Sequence, residues 1–293
     1  MNKKWLYLMV LSLIWGTSYI LIKKGLVGLS QMQLGALRLV LTSLILFSIG
    51  FPSLKKIQKH HWRWIAISAM AGTFFPSFLF AFAQRHIDSA VASILNGLTP
   101  LATAIIGMLL FGVYVSKRQL LGVFIGLIGS IMLILAGSHI NPDQNHAFGI
   151  LVLIASMGYA LNVNIIKHHL KGLPALAIAT GNFVCLFVPS LVILWWTDFF
   201  EQVGSSLPMQ ISVGYIAILA LFGTALASIL FNKLIEISSP VFASSVTYTM
   251  PLVAVIWGFA DGERFGLIQG LSAVVVFVGV YLANQRAKKT PEV

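Results

Sequence analysis

Charge is what this chain has least of. Only 9% of its 293 residues are Asp, Glu, Lys or Arg, against 58% hydrophobic. A soluble domain of this size carries about 25% charged residues. So little charge cannot cover a water-facing surface, and the mean hydropathy of +0.92 places the chain in a membrane. Acids are scarcer still. All eight, Asp88, Asp143, Asp198, Glu201, Glu236, Asp261, Glu263 and Glu292, fall in loops, span ends or the tail, so no mid-membrane carboxylate offers a proton or sodium site. A single cysteine, Cys185, excludes an intrachain disulfide and a cysteine metal cluster. His60-His61 and His168-His169 lie beside lysines in short loops, without the further histidines that a metal centre needs. The chain lacks GxSxG, HExxH, an intramembrane Asp pair and a phosphate-cradling Gly-rich loop with Lys. Those absences remove hydrolytic chemistry and internal ATP drive. No catalytic residue, metal or cofactor is expected. The net charge of +11 is dispersed between apolar runs, which argues against nucleic acid as a partner.

What is present is a series of long apolar runs. Ten can be drawn, over residues 5–24, 32–50, 63–83, 89–112, 118–137, 149–167, 175–196, 212–232, 240–260 and 265–284. Each supplies roughly the 20 residues that a helix needs to cross lipid. The run from Trp5 to Ile22 has spanning length and no clean cleavage pattern after it, so it counts as the first span, not a signal peptide. With the N-terminus in the cytoplasm, fourteen of the 19 Lys and Arg lie inside, four (Lys23, Lys24, Arg85, Arg264) lie outside, and Arg38 falls within a span. That bias places both termini in the cytoplasm. The expected fold is an all-α integral membrane protein.

The fourth and ninth runs repeat one another. A slide of 151 positions pairs Ser93 with Ser244, Pro100 with Pro251, Leu101 with Leu252, Ile105 with Ile256 and Gly107 with Gly258. A slide of 144 pairs Trp15–Lys23 with Tyr159–Lys167. The chain therefore divides into residues 1–137 and 149–284, five spans each, followed by a cytoplasmic tail, 285–293. Five is odd, so the second half enters the membrane inverted, as in many alternating-access carriers. Proline removes a backbone donor and frees a carbonyl, which makes Pro100 and Pro251 candidate gating positions. Gly122/Gly126 and Gly266/Gly270 carry the four-residue spacing of close helix packing.

Candidate solute contacts follow from polar groups at depth. Arg38 either meets a substrate carboxylate in a cavity or snorkels toward the surface. Trp15, Ser18 and Tyr19 share one helical face, answered by Tyr159 and Asn162 in the sixth span. Asn162 is preferred over Asn164, because their faces differ and an amide is poorly satisfied against lipid. Asn96, Thr99, Thr247 and Tyr248 surround the two prolines, as solute contacts or as partners of freed backbone. Gln84 and His86 stand near the outer end of the third span, either at an entrance or at the water interface.

Several short motifs occur in order: Trp15-Gly16 with Ser18 and Lys23, Ala36-Leu37-Arg38, Phe80-Ala81-Phe82-Ala83, Asp88-Ser89-Ala90, the two proline helices and Gly262-Glu263-Arg264. In these the chain resembles the EamA family of the drug/metabolite transporter superfamily across nearly its full length. The resemblance implies export or exchange of small metabolites, often amino acids or related compounds, through a cavity between the halves. One departure stands out. The family often has a glutamate after each proline helix; Glu263 fits, but the matching position in the first half is Gly112. The expected function is a carrier in a bacterial inner membrane, whose partners are a small solute and the bilayer. A multidrug or other-metabolite efflux carrier is the alternative, ahead of a membrane-embedded enzyme or a scaffold.

Overall fold

The computed structural model describes residues 3–112, 117–140 and 144–284. The tail 285–293, with Arg286, Lys288, Lys289 and Glu292, lies outside the described residues, as does Asp143. Among the described residues there is no strand. The helices are α1 (Lys3–Gly25), α2 (Gln31–Gly50), α3 (Lys59–Gln84), α4 (Ser89–Phe111), α5 (Lys117–Ile140), α6 (His146–His169), α7 (Ala175–Trp196), α8 (Leu207–Ile237), α9 (Pro240–Ala260) and α10 (Leu267–Asn284). Eight of them, all but α5 and α10, are long and apolar enough to cross a membrane. In the other two the apolar stretches are Phe124–Ala136 and Leu267–Gly279. The chain is thus a multi-pass helical membrane protein.

The polarity pattern is that of a membrane fold. Leu109, Trp196 and Leu267 are 68%, 82% and 81% exposed, while Thr42, Ser43 and Ser68 are fully buried. Lipid is as apolar as leucine, so helices associate through close packing and interhelical hydrogen bonds instead of apolar burial. Thr42 and Ser43 of α2 show how. Each hydroxyl donates to a carbonyl one turn back, then reaches Ala220 O and Phe183 O, both at 3.3 Å, on α8 and α7. The start of α2 is fixed by a reciprocal cap between Ser30 and Gln33, and the Gln33 amide also donates to Thr197 O at 2.9 Å.

Among the described residues, four helices depart from α geometry in mid-length. α4 runs as Ser89–Asn96 and resumes at Thr99–Phe111, with Pro100 in the first turn of the new segment. α9 passes through a tight turn, Ser245–Tyr248, and resumes at Met250 with Pro251 in the same place. At a first turn, proline's missing N–H has no carbonyl to leave unpaired. The helices are therefore broken, not merely kinked. Asn96 O, four residues before Pro100, instead accepts the Thr99 hydroxyl at 2.7 Å. The other two, α3 and α8, widen into π-helical segments at Met70–Phe74 and Leu219–Leu226.

α5 and α10 lie against each other in the most extensive helix pairing of the fold. Any Cβ on Gly279 of α10 would fall within 3.0 Å of the backbone of Gly122 and Gly126 on α5. The Gly122/Gly126 spacing thus meets a glycine of the facing helix. Gly279→Val is expected to destabilise the protein by roughly 2 kcal/mol through overpacking. Thermal unfolding in detergent measures it, and an unchanged midpoint would show that these helices do not need their close approach.

Candidate solute cavity

The broken and widened helices meet at one cavity. It measures about 1000 Å³ including the part open to solvent, and 24 residues line it. Twenty of these 24 fall into ten pairs related by the repeat offsets. At an offset of 144 the pairs are Trp15/Tyr159, Ser18/Asn162, Tyr19/Val163 and Arg38/Asn182. At 151 they are Gly72/Gly223, Thr73/Thr224, Ser77/Ser228, Phe80/Phe231, Asn96/Thr247 and Thr99/Met250. Corresponding residues of the two halves therefore face one space. The four unpaired lining residues are Ile22, Asn232, Ser244 and Val246. Three of them sit where α8 passes into α9, so the cavity reaches farther toward that end.

Its walls are held by hydrogen bonds between helices. In the π-helical part of α8, Gly223 O accepts from Trp15 Nε1 at 2.9 Å and Thr224 Oγ1 accepts from Arg38 Nε at 2.7 Å. Widening a helix misaligns its ladder; Trp15 of α1 takes up a carbonyl there, and Arg38 of α2 bonds the neighbouring threonine hydroxyl. Asn96, at the break in α4, donates to Tyr19 Oη at 2.9 Å, and its Oδ1 accepts from Thr99 and Ser156 at 2.9 and 3.2 Å. Asn162 Oδ1 accepts from Ser68 at 2.5 Å. Asn164 turns aside, donating to Thr103 O and Ala160 O. Edge-on aromatic contacts, Trp15–Phe231 at 4.9 Å and Tyr19–Phe80 at 5.9 Å, complete the wall.

Of the residues singled out from sequence, Trp15, Ser18, Tyr19, Arg38, Asn96, Thr99, Tyr159, Asn162 and Thr247 line the cavity. Gln84 and Tyr248 are not in the lining, and neither are Pro100 and Pro251, whose neighbours Thr99 and Met250 are. The Gln84 side chain is buried with both amide atoms unbonded. His86 stacks on Phe148 at 3.8 Å. The lining also includes residues that sequence reasoning passed over, notably Thr73, Ser77, Asn182, Thr224, Ser228 and Asn232. The offset of 151 that matches the prolines would have found Gly72-Thr73 with Gly223-Thr224, and Ser77 with Ser228.

Beside one end of the cavity, just past the lining residue Ile22, stands a cluster of ion pairs. Lys23 of α1 bonds Asp261 at 2.8 Å and Glu263 at 2.9 Å, both in the α9–α10 link, and Lys24 pairs with Asp261. Glu263 also accepts from the backbone N–H of Ser89 and Ala90, at 3.1 and 3.2 Å. It thus caps the first turn of α4, where a carboxylate is favoured by the orphan donors and the helix dipole. Asp88 occupies the N-cap position but makes no cap bond; Gln144 donates to it at 2.9 Å. The opposite end differs. Lys167, the counterpart of Lys23, donates to Ile235 O at 3.0 Å and Ser238 O at 2.5 Å, and Gly112 stands where Glu263 does in the other half.

A helical membrane bundle around a polar, pseudo-symmetric cavity is the architecture of a carrier. The chain belongs to the EamA-like transporter family, which matches it over residues 3–135 and again over 147–285. It is 28% identical to YedA, an uncharacterized inner membrane transporter of Escherichia coli K12, over 94% of this chain and 89% of that one. PecM of Dickeya dadantii is 27% identical, over 95% and 93%. YyaM, an uncharacterized transporter of Bacillus subtilis, is 25% identical, over 86% and 82%. A crystal structure 14% identical in sequence superposes with a TM-score of 0.67 over 95% of each chain, a likeness of fold alone.

The two rim aspartates respond oppositely to pH. For Asp261, burial alone raises the pKa, but the bonds to Lys23 and Lys24 outweigh it and hold it below the ordinary value. For Asp88, burial prevails over the Gln144 bond and raises it. A depressed carboxylate contributes stability above its unfolded pKa, lost as pH falls through its folded pKa; a raised one destabilises at neutral pH and is relieved on acidification. At pH 7, Asp261→Asn should lower the melting temperature and Asp88→Asn should raise it. The gain from Asp88→Asn should shrink as pH approaches about 4. Melting curves across that window decide it, and equal losses in both variants at neutral pH would refute the assignment.

Proposed function

We propose that the chain exports or exchanges small polar metabolites, amino acids or compounds related to them, by alternating access through this cavity. Ten spans form two inverted five-helix halves, in a bacterial inner membrane with both termini cytoplasmic. The observation that carries the proposal is the pairing of the cavity lining by the two repeat offsets. A path built from equivalent residues of two inverted halves can open to either side by exchanging their conformations. The two family matches, one per half, support the same reading, as does the excess of cations on one side.

In that topology the Lys23–Glu263 pair is external, and the cavity extends toward the cytoplasm at the α8–α9 passage. Breaks at Pro100 and Pro251 leave the outer segment of α4 and the inner segment of α9 joined to the rest by short turns, where rotation is easiest. Aromatic faces and hydroxyls suit an amphipathic solute. Cationic drugs call for a buried acid, and no acid lines the cavity, so metabolites fit better than a multidrug range.

The test is uptake by proteoliposomes holding the purified protein, using a labelled pool of amino acids and neutral metabolites, with and without a pH gradient. Flux of an amino acid or a related compound is expected. Asn162→Ala should reduce it about tenfold, the worth of one well-placed hydrogen-bonding group, while eluting as a folded monodisperse protein. Full flux in that variant, or no flux of any solute in the wild type, would contradict the proposal.

A further inference from the structure

We propose that the cavity selects solutes of net charge −1, carboxylates whose amino group is absent or acylated, over zwitterions and cations of the same shape. The inference rests on the carrier function above and narrows its substrate. Arg38 is the one ionised side chain in the lining, and its repeat partner is the neutral Asn182. The guanidinium Nε is engaged by Thr224 Oγ1 at 2.7 Å, but among the described residues neither Nη group has a protein acceptor. A free pair of Nη donors is the fork that binds a carboxylate with two parallel bonds.

Four of the chain's acids are committed elsewhere. Asp261 and Glu263 face Lys23 at the rim, Asp88 accepts from Gln144, and Glu236 pairs with Lys233 at 3.0 Å. None lines the cavity. A cation within a membrane protein is costly until an opposite charge faces it. A bound monoanion brings the cavity to neutrality. A zwitterion leaves it at +1 and a cation at +2, with only neutral groups to hold the ammonium. The strongest of those are already taken: Asn96 Oδ1 accepts two hydroxyls and Asn162 Oδ1 accepts Ser68. Asn182 Oδ1 is enclosed, without accessible surface. Hydroxyls, aromatic faces and the Asn232 amide remain; all are uncharged, so they do not restore charge balance.

The experiment compares efflux of L-leucine, N-acetyl-L-leucine and L-leucinamide from proteoliposomes at neutral pH, using the full chain. The N-acetyl compound should move at least about tenfold faster than leucinamide and faster than leucine. Arg38→Gln should bring the N-acetyl-leucine to leucine ratio down about tenfold, and Arg38→Lys should keep the anion preferred. A purely structural Arg38 would lower all fluxes in proportion and leave the ratio unmoved. Leucine carried faster than its N-acetyl form in the wild type would overturn the inference while leaving the carrier standing. That comparison needs no variant to fold. Flux of neutral metabolites with none of the three leucine compounds would also overturn it, and no flux of any solute would remove the carrier function itself.

Discussion

In a membrane, every backbone N–H and C=O must find a partner inside the protein, because lipid offers none. The whole arrangement depends on how that constraint is met where α3, α4, α8 and α9 leave α geometry. Each irregular stretch points inward, and its spare groups are met by side chains of other helices or by its own hydroxyls. Trp15 serves Gly223 O, the Thr224 hydroxyl serves Leu219 O, and Thr99 serves Asn96 O. The groups that stabilise the broken backbone are among those that line the cavity. Polar lining and helix distortion are one feature.

The repeat gives the cavity its symmetry, and three of the differences between the halves change charge. Arg38 faces Asn182 across the offset, Glu263 faces Gly112, and Asp88 faces Ser239. The last two act together. Ser239 caps its own helix by accepting from Phe242 N at 3.2 Å, whereas α4 is capped by Glu263 from the other half. Beside one end of the cavity, ion pairs and cap bonds therefore join α1, α4 and the α9–α10 link. At the other, Lys167 holds only the carbonyls that end α8.

Much of this was legible in the sequence, for a physical reason. Lipid tolerates few polar residues, so Arg38, Asn96 and Asn162 stand out against apolar runs, and all three line the cavity. The internal slide that pairs Pro100 with Pro251 also pairs most of the lining. What escaped were groups that look ordinary alone. Thr73 and Thr224 sit in π-helical segments, and helix width depends on tertiary contacts that local sequence does not encode. Glu263 was expected only as a family position, since a carboxylate that caps a helix 174 residues away in sequence leaves no local trace. Gln84, the last residue of its helix, is not among the lining; a polar residue at a span end does not tell which way its helix face turns.

Whether solute passes through this cavity is most directly tested by blocking it. On a Cys185→Ser background, Ser228→Cys places one thiol in the lining, on α8 beside the π-helical segment. Proteoliposome flux is measured before and after reaction with a small charged methanethiosulfonate, with the extent of labelling read by mass spectrometry. Loss of flux in step with labelling, slowed by transported solute, is the expected result. Complete labelling with undiminished flux would show that the solute takes another path.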